Sequence, residues 1–189
     1  MGVNVTNLIQ GPATMYHGWF GQTTEPASTA INTAPSVSGN GLTDVGGTLD
    51  GVQLNVAIEW SELAVDQIVD VPGRRMTKRD MSVATQMAEG TIENLTRSLN
   101  GGTSATGTGF KSYEPALDNS AVTPNYGVIV LDGIADNSRR RRVVARKTLQ
   151  TEGVESAYKK DEQWVIPGTF STHYVDNVTA PFKIVDATS

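Results

Sequence analysis

A regular alternation of apolar and polar residues between positions 52 and 60 is the feature that most constrains this chain. Large apolar side chains occupy every second position, and smaller or polar ones lie between them: Val52, Leu54, Val56, Ile58 and Trp60 alternate with Gln53, Asn55, Ala57 and Glu59. Successive side chains of a β-strand point to opposite faces, so this period of two predicts a half-buried strand. The chain is therefore expected to build a sheet with one packed face and one wet face.

Further strand-like segments lie on both sides of one helical segment. The pattern predicts strands at 65–71, 81–87, 126–131, 143–149, 164–165, 170–175 and 182–185, and residues 52–89 as an antiparallel meander. A helix is predicted at 91–100, capped by Thr91 and ended by Gly101, with an apolar stripe of Ile92, Leu95 and Leu99 and an ion pair between Glu93 and Arg97. Strands followed by one helix and more strands exclude a doubly wound parallel sheet. They predict a mainly β protein, an antiparallel sandwich or barrel with one short flanking helix.

The whole chain, residues 1–189, is expected to form a single domain, because its length falls in the usual range of one. Residues 21–51 are rich in Thr, Ser, Asn, Pro and Gly and contain few large apolar side chains. Such a segment buries too little to offset the entropy of ordering. We therefore expect residues 1–51 to be largely an extended arm or loop, residues 52–189 to form the β-sandwich, and residues 101–109 to be a flexible loop.

Composition restricts the class of function. The net charge of -5 disfavours nucleic-acid binding by phosphate neutralisation. The absence of cysteine excludes disulfides and thiolate metal sites. We see no basic and apolar leader and no apolar stretch near the ~20 residues of a membrane-spanning helix, so we expect a protein made in the cytoplasm without membrane insertion.

Residues that usually carry catalysis are scarce. His17 and His173 are the two histidines, and neither has a carboxylate or second histidine at helical metal-ligand spacing. The glycine-rich loop at 102–107 has Thr108 where a phosphate-binding loop requires lysine. Nucleophile-elbow and dinucleotide-binding motifs are missing from the sequence. We therefore predict that the chain is not an enzyme and has no catalytic, metal-binding or cofactor-binding residues and no cofactor.

One segment concentrates positive charge, with six cations within nine residues: Arg139, Arg140, Arg141, Arg142, Arg146 and Lys147. Such a group grips phosphates or pairs with carboxylates across an interface. Because the chain is acidic overall, we favour a solvated or subunit-facing basic edge over nucleic-acid binding.

Three phrases together resemble the major tail tube proteins of long-tailed, siphovirus-like bacteriophages: DGVQL at 50–54, EWSEL followed by DQ at 59–67, and AEGTIENL at 88–95. The resemblance implies a β-sandwich with one helix that assembles into hexameric rings, which stack into a hollow tube. Phage DNA then passes through the tube without sequence-specific binding. The implied location is the virion tail, and the implied partners are further copies of the chain with tape measure and tail terminator proteins.

The resemblance also implies roles for two groups of residues. A loop reaching the neighbouring ring would comprise Val71, Pro72, Gly73, Arg74, Arg75, Met76, Thr77 and Lys78. Buried carboxylates without partners are costly, so the polar face of the first two predicted strands must contact water. In a tube this face would line the channel: Gln53, Asn55, Glu59, Asp66 and Asp70. An ordinary outer surface is the alternative for the same residues.

Other classes remain open. Tube proteins of contractile tails and of type VI secretion share the implied fold. A head decoration or head-tail connector protein would also be β-rich and non-enzymatic, but it would form trimers or a single ring. A carbohydrate-binding β-sandwich is disfavoured, because aromatic residues make up only 6% of the chain and are scattered.

Overall fold

The predicted fold class is confirmed: the protein is mainly antiparallel β with one short α-helix. The computed structural model describes residues 11–36, 39–117, 122–134 and 140–187. Within these residues the elements are β1 (Ala13–Trp19), β2 (Thr43–Asp44), β3 (Thr48–Leu63), β4 (Gly73–Met87), α1 (Ile92–Ser98), β5 (Thr103–Gly107), β6 (Phe110–Glu114), β7 (Gly127–Ile134), β8 (Arg140–Gln150), β9 (Ile166–Thr172) and β10 (Phe182–Asp186).

The main sheet curls back on itself. Its strands follow the order β2, β1, β7, β8, β9, β4, β3, and β10 pairs with the first half of β8. After β2, the backbone N–H of Val45 donates to the carbonyl of Met15 in β1 at 3.1 Å. Two residues later, the carbonyl of Gly47 accepts from the N–H of Ala88 at 2.8 Å, just beyond β4. The short stretch from β2 to β3 thus joins opposite ends of the sheet and encloses a core.

The interior is built by alternate residues of most of the strands. The inner cluster comprises Met15, Val45, Met81, Val83, Met87, Ile129, Leu131, Val143, Ala145, Ile166 and Phe170. A second cluster comprises Tyr16, Leu42, Val128, Val130 and Val144. Since neighbours in a strand point to opposite faces, this second cluster lies on the outer face of β1, β7 and β8. The protein therefore packs apolar side chains on both faces of these three strands.

The prediction that residues 1–51 are largely an extended arm or loop is wrong for residues 13–19, which form β1, whereas the described residues between 20 and 42 contain no strand or α-helix. β1 lies inside the sheet between β2 and β7, and Ile31, Leu42 and Val45 are buried. Composition alone was a poor guide here, because the polar segment after β1 is held in place by contacts with residues far away in the sequence. The local sequence pattern does not show such contacts. Residues 1–10 lie outside the described residues.

Three other local predictions are corrected. Residues 64–72 form the turn between β3 and β4, so 52–89 is one long hairpin and not a meander. Alternation alone predicted a strand at 65–71, but that segment pairs with none of the described strands, and the N–H of Ile68 donates to the carbonyl of Val65 in a turn. Residues 103–107 pair with 110–114 in a small separate hairpin where a flexible loop was predicted. Residues 164–165 precede β9 and are not a strand.

The helix forms where predicted, and its cap is confirmed. The hydroxyl of Thr91 accepts from the backbone N–H of Asn94 at 3.2 Å, which satisfies one of the free donors of the first turn. At the other end Asn100 has φ 57° and Gly101 has φ 123°, both outside the helical range. These two residues turn the chain away from the helix.

The buried face of the helix differs from the predicted stripe. Leu95 packs against the inner cluster, but Leu99 is 43% exposed, and Asn94 is buried in its place. The Asn94 amide donates to the carbonyls of Val45 at 2.8 Å and Glu89 at 2.9 Å. The predicted Glu93–Arg97 pair does not form, because Glu93 pairs with Lys111 and the guanidinium of Arg97 donates to Asn94.

His17 makes the stability of this fold depend on pH. Its side chain is 3% exposed, and its ring lies 5.0 Å from that of Trp19 and 6.3 Å from that of Phe170. Burial, with a smaller contribution from the charge of Arg97, lowers the pKa of His17 to about 3. The unfolded chain, with an ordinary histidine pKa near 6.5, therefore binds the proton first as the pH falls.

We predict that the free energy of unfolding falls by roughly 2 to 3 kcal/mol through His17 alone between pH 6.5 and 4.5. Above about pH 7.5 both states are almost fully neutral at this residue, so it contributes almost no slope there. Urea unfolding at several pH values measures this, and His17→Gln should flatten the curve in that window. An unchanged slope in His17→Gln would contradict the assignment.

Candidate assembly surface

The β3–β4 hairpin extends well beyond the body of the protein. β9 pairs with β4 only from Ser82 to Met87. Farther out, from Met81 to Gly73, β4 pairs with β3 alone among the described strands. That outer part spans about 25 Å at the usual rise per residue. A two-stranded ribbon is marginally stable in water by itself, so this part of the hairpin is suited to packing against a partner.

One face of the projecting hairpin is mostly apolar, with Arg79 opposite Ile58 as a charged neighbour on the same face. We call Leu54, Val56, Ile58, Trp60 and Met76 the apolar stripe. Leu54 and Val56 lie opposite the buried Val83 and Met81 of β4, so the stripe continues the core-facing side of the hairpin past the end of the core. Its members are 39% to 56% exposed, with Leu54 the least and Trp60 the most. Large apolar side chains in a continuous exposed row are typical of a contact surface.

The opposite face of β3 is polar and carries the first three of the predicted wet residues, Gln53, Asn55 and Glu59. All three are exposed, as predicted from the cost of burying such groups. Lys78 lies across from Glu59, at 3.8 Å from its carboxylate and 2.5 Å from that of Asp80. The hydrogen bond and charge of Asp80, with the charge of Glu59, raise the pKa of Lys78.

Asp66 and Asp70, the other two predicted wet residues, are also exposed but lie elsewhere. They belong to the turn 64–72, which we call the tip, and not to the polar face of a strand. The tip also carries Ile68, which is 52% exposed, and Val69, which is fully exposed. It therefore combines several exposed aliphatic side chains with two carboxylates.

The predicted inter-ring loop, residues 71–78, is mostly strand and not loop. Val71 and Pro72 lie in the tip, but β4 begins at Gly73, so Arg74, Arg75, Met76, Thr77 and Lys78 are strand residues. Proline has no N–H to donate and is tolerated at the start of a strand, so pairing resumes directly after it. The guanidinium of Arg74 pairs with Glu62 across the hairpin at 2.7 Å. The element that projects is the whole outer hairpin with its tip at 64–72.

The predicted basic edge is largely neutralised within the chain. Arg142 is 2% exposed, so its assignment to an edge is wrong, while Arg139 lies outside the described residues. The other cations each contact an acidic or aromatic side chain: Arg140 pairs with Asp132, Arg141 with Asp186, Arg146 with Glu25, and Lys147 lies over the ring of Tyr126. The sequence revealed the cations, but their acidic partners lie on distant segments.

Arg142 holds the segment after β1 against the sheet. Its guanidinium donates to Asp132 at 3.2 Å and to three backbone carbonyls, those of Ala30 at 3.2 Å, Ile31 at 3.2 Å and Thr33 at 2.6 Å. A buried guanidinium needs nearly all of its donors satisfied, and this arrangement supplies acceptors from two directions. The polar segment is thereby fixed over the outer cluster.

The described residues contain no cluster of three or more His, Asp or Glu side chains that could hold a metal ion. Within the same part of the chain, no helix is long and apolar enough to cross a membrane. No protein family model matches the chain, and no curated protein matches it.

We predict that Arg142→Met lowers the free energy of unfolding by about 3 to 5 kcal/mol, because it leaves Asp132 and three carbonyls short of a buried partner. Arg141→Met should cost less than about 1 kcal/mol, because its pair with Asp186 is exposed. Chemical denaturation of both variants measures the contrast. Equal costs would contradict the anchoring role of Arg142.

Proposed function

We propose that this chain is a non-enzymatic structural subunit that assembles into stacked, hexameric rings forming the hollow tail tube of a long-tailed bacteriophage, through which DNA passes. Its place would be the virion tail, with tape measure and tail terminator proteins as further partners. The three sequence phrases that resemble tail tube proteins support the proposal. The projecting hairpin supplies the physical reason for assembly.

The apolar stripe is the observation that carries the proposal. Full burial of one large apolar side chain contributes about 1.5 to 3 kcal/mol. The stripe contains five such side chains, each roughly half exposed, so a partner that covers them gains several kcal/mol. In the part of the chain that the structure describes, these side chains stay 39% to 56% exposed beyond the end of the core. Association therefore removes from water a surface that the fold leaves exposed.

The free edge of β3 favours a partner with a matching shape. Among the described strands, β3 ends the path of the main sheet and is the longest, with 16 residues. A long exposed edge presents unpaired backbone donors and acceptors, and proteins normally protect or pair such edges. Contacts between different surfaces of identical copies close into rings when the rotation allows, and rings that stack build a tube.

The polar face of β3 suits a channel that carries DNA. It lies opposite the apolar stripe, so a copy that packs its stripe against neighbours leaves this face toward water. With a net charge of -5, the chain repels phosphates overall. A head decoration or connector protein would use the same exposed stripe in trimers or in a single ring, and microscopy of the assembled protein distinguishes these outcomes.

We expect the purified protein to form rings or tubes at high concentration. Ile58→Ser with Trp60→Ser should raise the concentration needed for assembly at least about tenfold, because two anchors of the stripe are lost. The monomer should stay folded, since neither side chain belongs to the core clusters. Sedimentation velocity and negative-stain microscopy measure both effects.

The matched control for this test is Asn55→Ser with Ala57→Ser, on the opposite face of the same strand, which should assemble normally. A protein that stays monomeric at every concentration would contradict the proposed function. Trimers or single rings that never stack would favour the decoration or connector class.

A second prediction addresses the channel. Replacing Gln53, Asn55 and Glu59 with lysine should leave assembly intact and slow DNA ejection from virions, most strongly at low salt, because the new charges attract phosphates. Glu155→Lys with Asp161→Lys changes the net charge equally at exposed positions outside the hairpin and is the control. Equal ejection rates in the two variants would place the polar face away from the channel.

A further inference from the structure

A cleft lies on the outer face of the sheet, beside the start of the segment after β1. Its lining includes Val128 and Val144, which are buried in the outer cluster. Phe20, Thr23 and Val175 also line it. The volume is about 310 Å³. This equals roughly ten water molecules and therefore admits more than one aliphatic side chain.

The surroundings of the cleft carry an excess of positive charge. Glu25 accepts from Arg146 at 2.6 Å and from Lys183 at 3.3 Å, and the Lys147 ammonium lies 5.5 Å from the centre of the Phe20 ring that lines the cleft. Asp176 is a further carboxylate nearby, since the charge of Arg146 contributes to its lowered pKa, after the hydrogen bonds from the backbone of Val178 and from Thr179. Among these described groups, three cations thus accompany two carboxylates. In a chain of net charge -5 such a surface selects an acidic partner.

The tip of the hairpin has the complementary chemistry. Val69 is fully exposed and Ile68 is half exposed, and Asp66 and Asp70 lie beside them. The nearest cation after the tip, Arg74, is already paired with Glu62. The tip is therefore an aliphatic projection that carries two carboxylates.

We propose that the cleft of one copy of this chain receives the hairpin tip of the next copy. Val69 and Ile68 pack against the accessible Phe20 and Val175 side chains that line the cleft, and the carboxylates of Asp66 and Asp70 lie toward Arg146 and Lys183. This inference rests on the proposed function, and it names the surface that the projecting hairpin contacts. Because the tip and the cleft are different surfaces, each copy gives one contact and accepts one, so the interaction propagates from copy to copy.

The cysteine-free sequence allows a direct test by cross-linking. Val69→Cys and Val175→Cys are made in separate, differently tagged chains, which are then mixed and treated with a short bismaleimide. We expect a covalent product containing one chain of each kind, and a ladder of multimers when both cysteines are in one chain. Val69→Cys mixed with Tyr158→Cys, an exposed position that does not line the cleft, is the matched control and should give little mixed product.

Charge reversal tests the electrostatic part of the proposed contact between the tip and the cleft. Asp66→Lys with Asp70→Lys should lower the yield of the Val69–Val175 product at least about tenfold, because like charges then meet at the rim of the cleft. Lys183→Glu in the copy that supplies the cleft should restore part of that yield. Loss of yield without any restoration would indicate that the tip does not contact this rim.

The outcomes separate this inference from the proposed function. Rings or tubes in the microscope without a mixed Val69–Val175 product overturn the cleft contact and leave the tube assignment intact. A product formed only within single chains also overturns it. A protein that neither assembles nor cross-links at any concentration overturns both.

Discussion

The buried guanidinium of Arg142 is the interaction on which the arrangement of the molecule depends. It joins Asp132 of β7 to the carbonyls of Ala30, Ile31 and Thr33, and it thereby converts a polar segment without an apolar pattern into a second layer. That layer covers the outer cluster on β1, β7 and β8. Without it, the apolar side chains on the outer face of these strands would contact water.

The same layer helps to form the positive cleft, because Phe20, Thr23 and Glu25 of this segment line it. The ion pair of Glu25 with Arg146 holds the segment at this side, as Arg142 holds it farther along. The same segment after β1 therefore covers the outer cluster and forms part of the proposed binding surface. The segment that lines the cleft is already held in place by Arg142 and Glu25 in the folded monomer. Binding another copy at this cleft would therefore require little additional loss of conformational entropy.

One alternating sequence pattern runs along the whole β3–β4 hairpin, although one part of the hairpin packs on the body of the protein and the other part is exposed to water. Near the body, the inward side chains Met81, Val83 and Met87 are buried. Farther out the same alternation continues, but the body ends and the side chains meet water. The period of two cannot distinguish these parts, because it reports which residues share a face and not whether another layer covers that face. Assembly would resolve the difference by supplying the missing layer.

The sequence by itself determined the mainly antiparallel β class, the strand beginning near Val52, the helix cap at Thr91 and the wet face of Gln53, Asn55 and Glu59, because these follow from local periodicity and local hydrogen bonds. Only the tertiary structure decided that the segment 64–72 is a turn, that residues after β1 are packed, and that Arg142 is buried. Pairing partners and acceptors for these groups come from positions far away in the chain, over a hundred residues away for the carbonyls that Arg142 contacts. No local pattern records which distant segment will supply them.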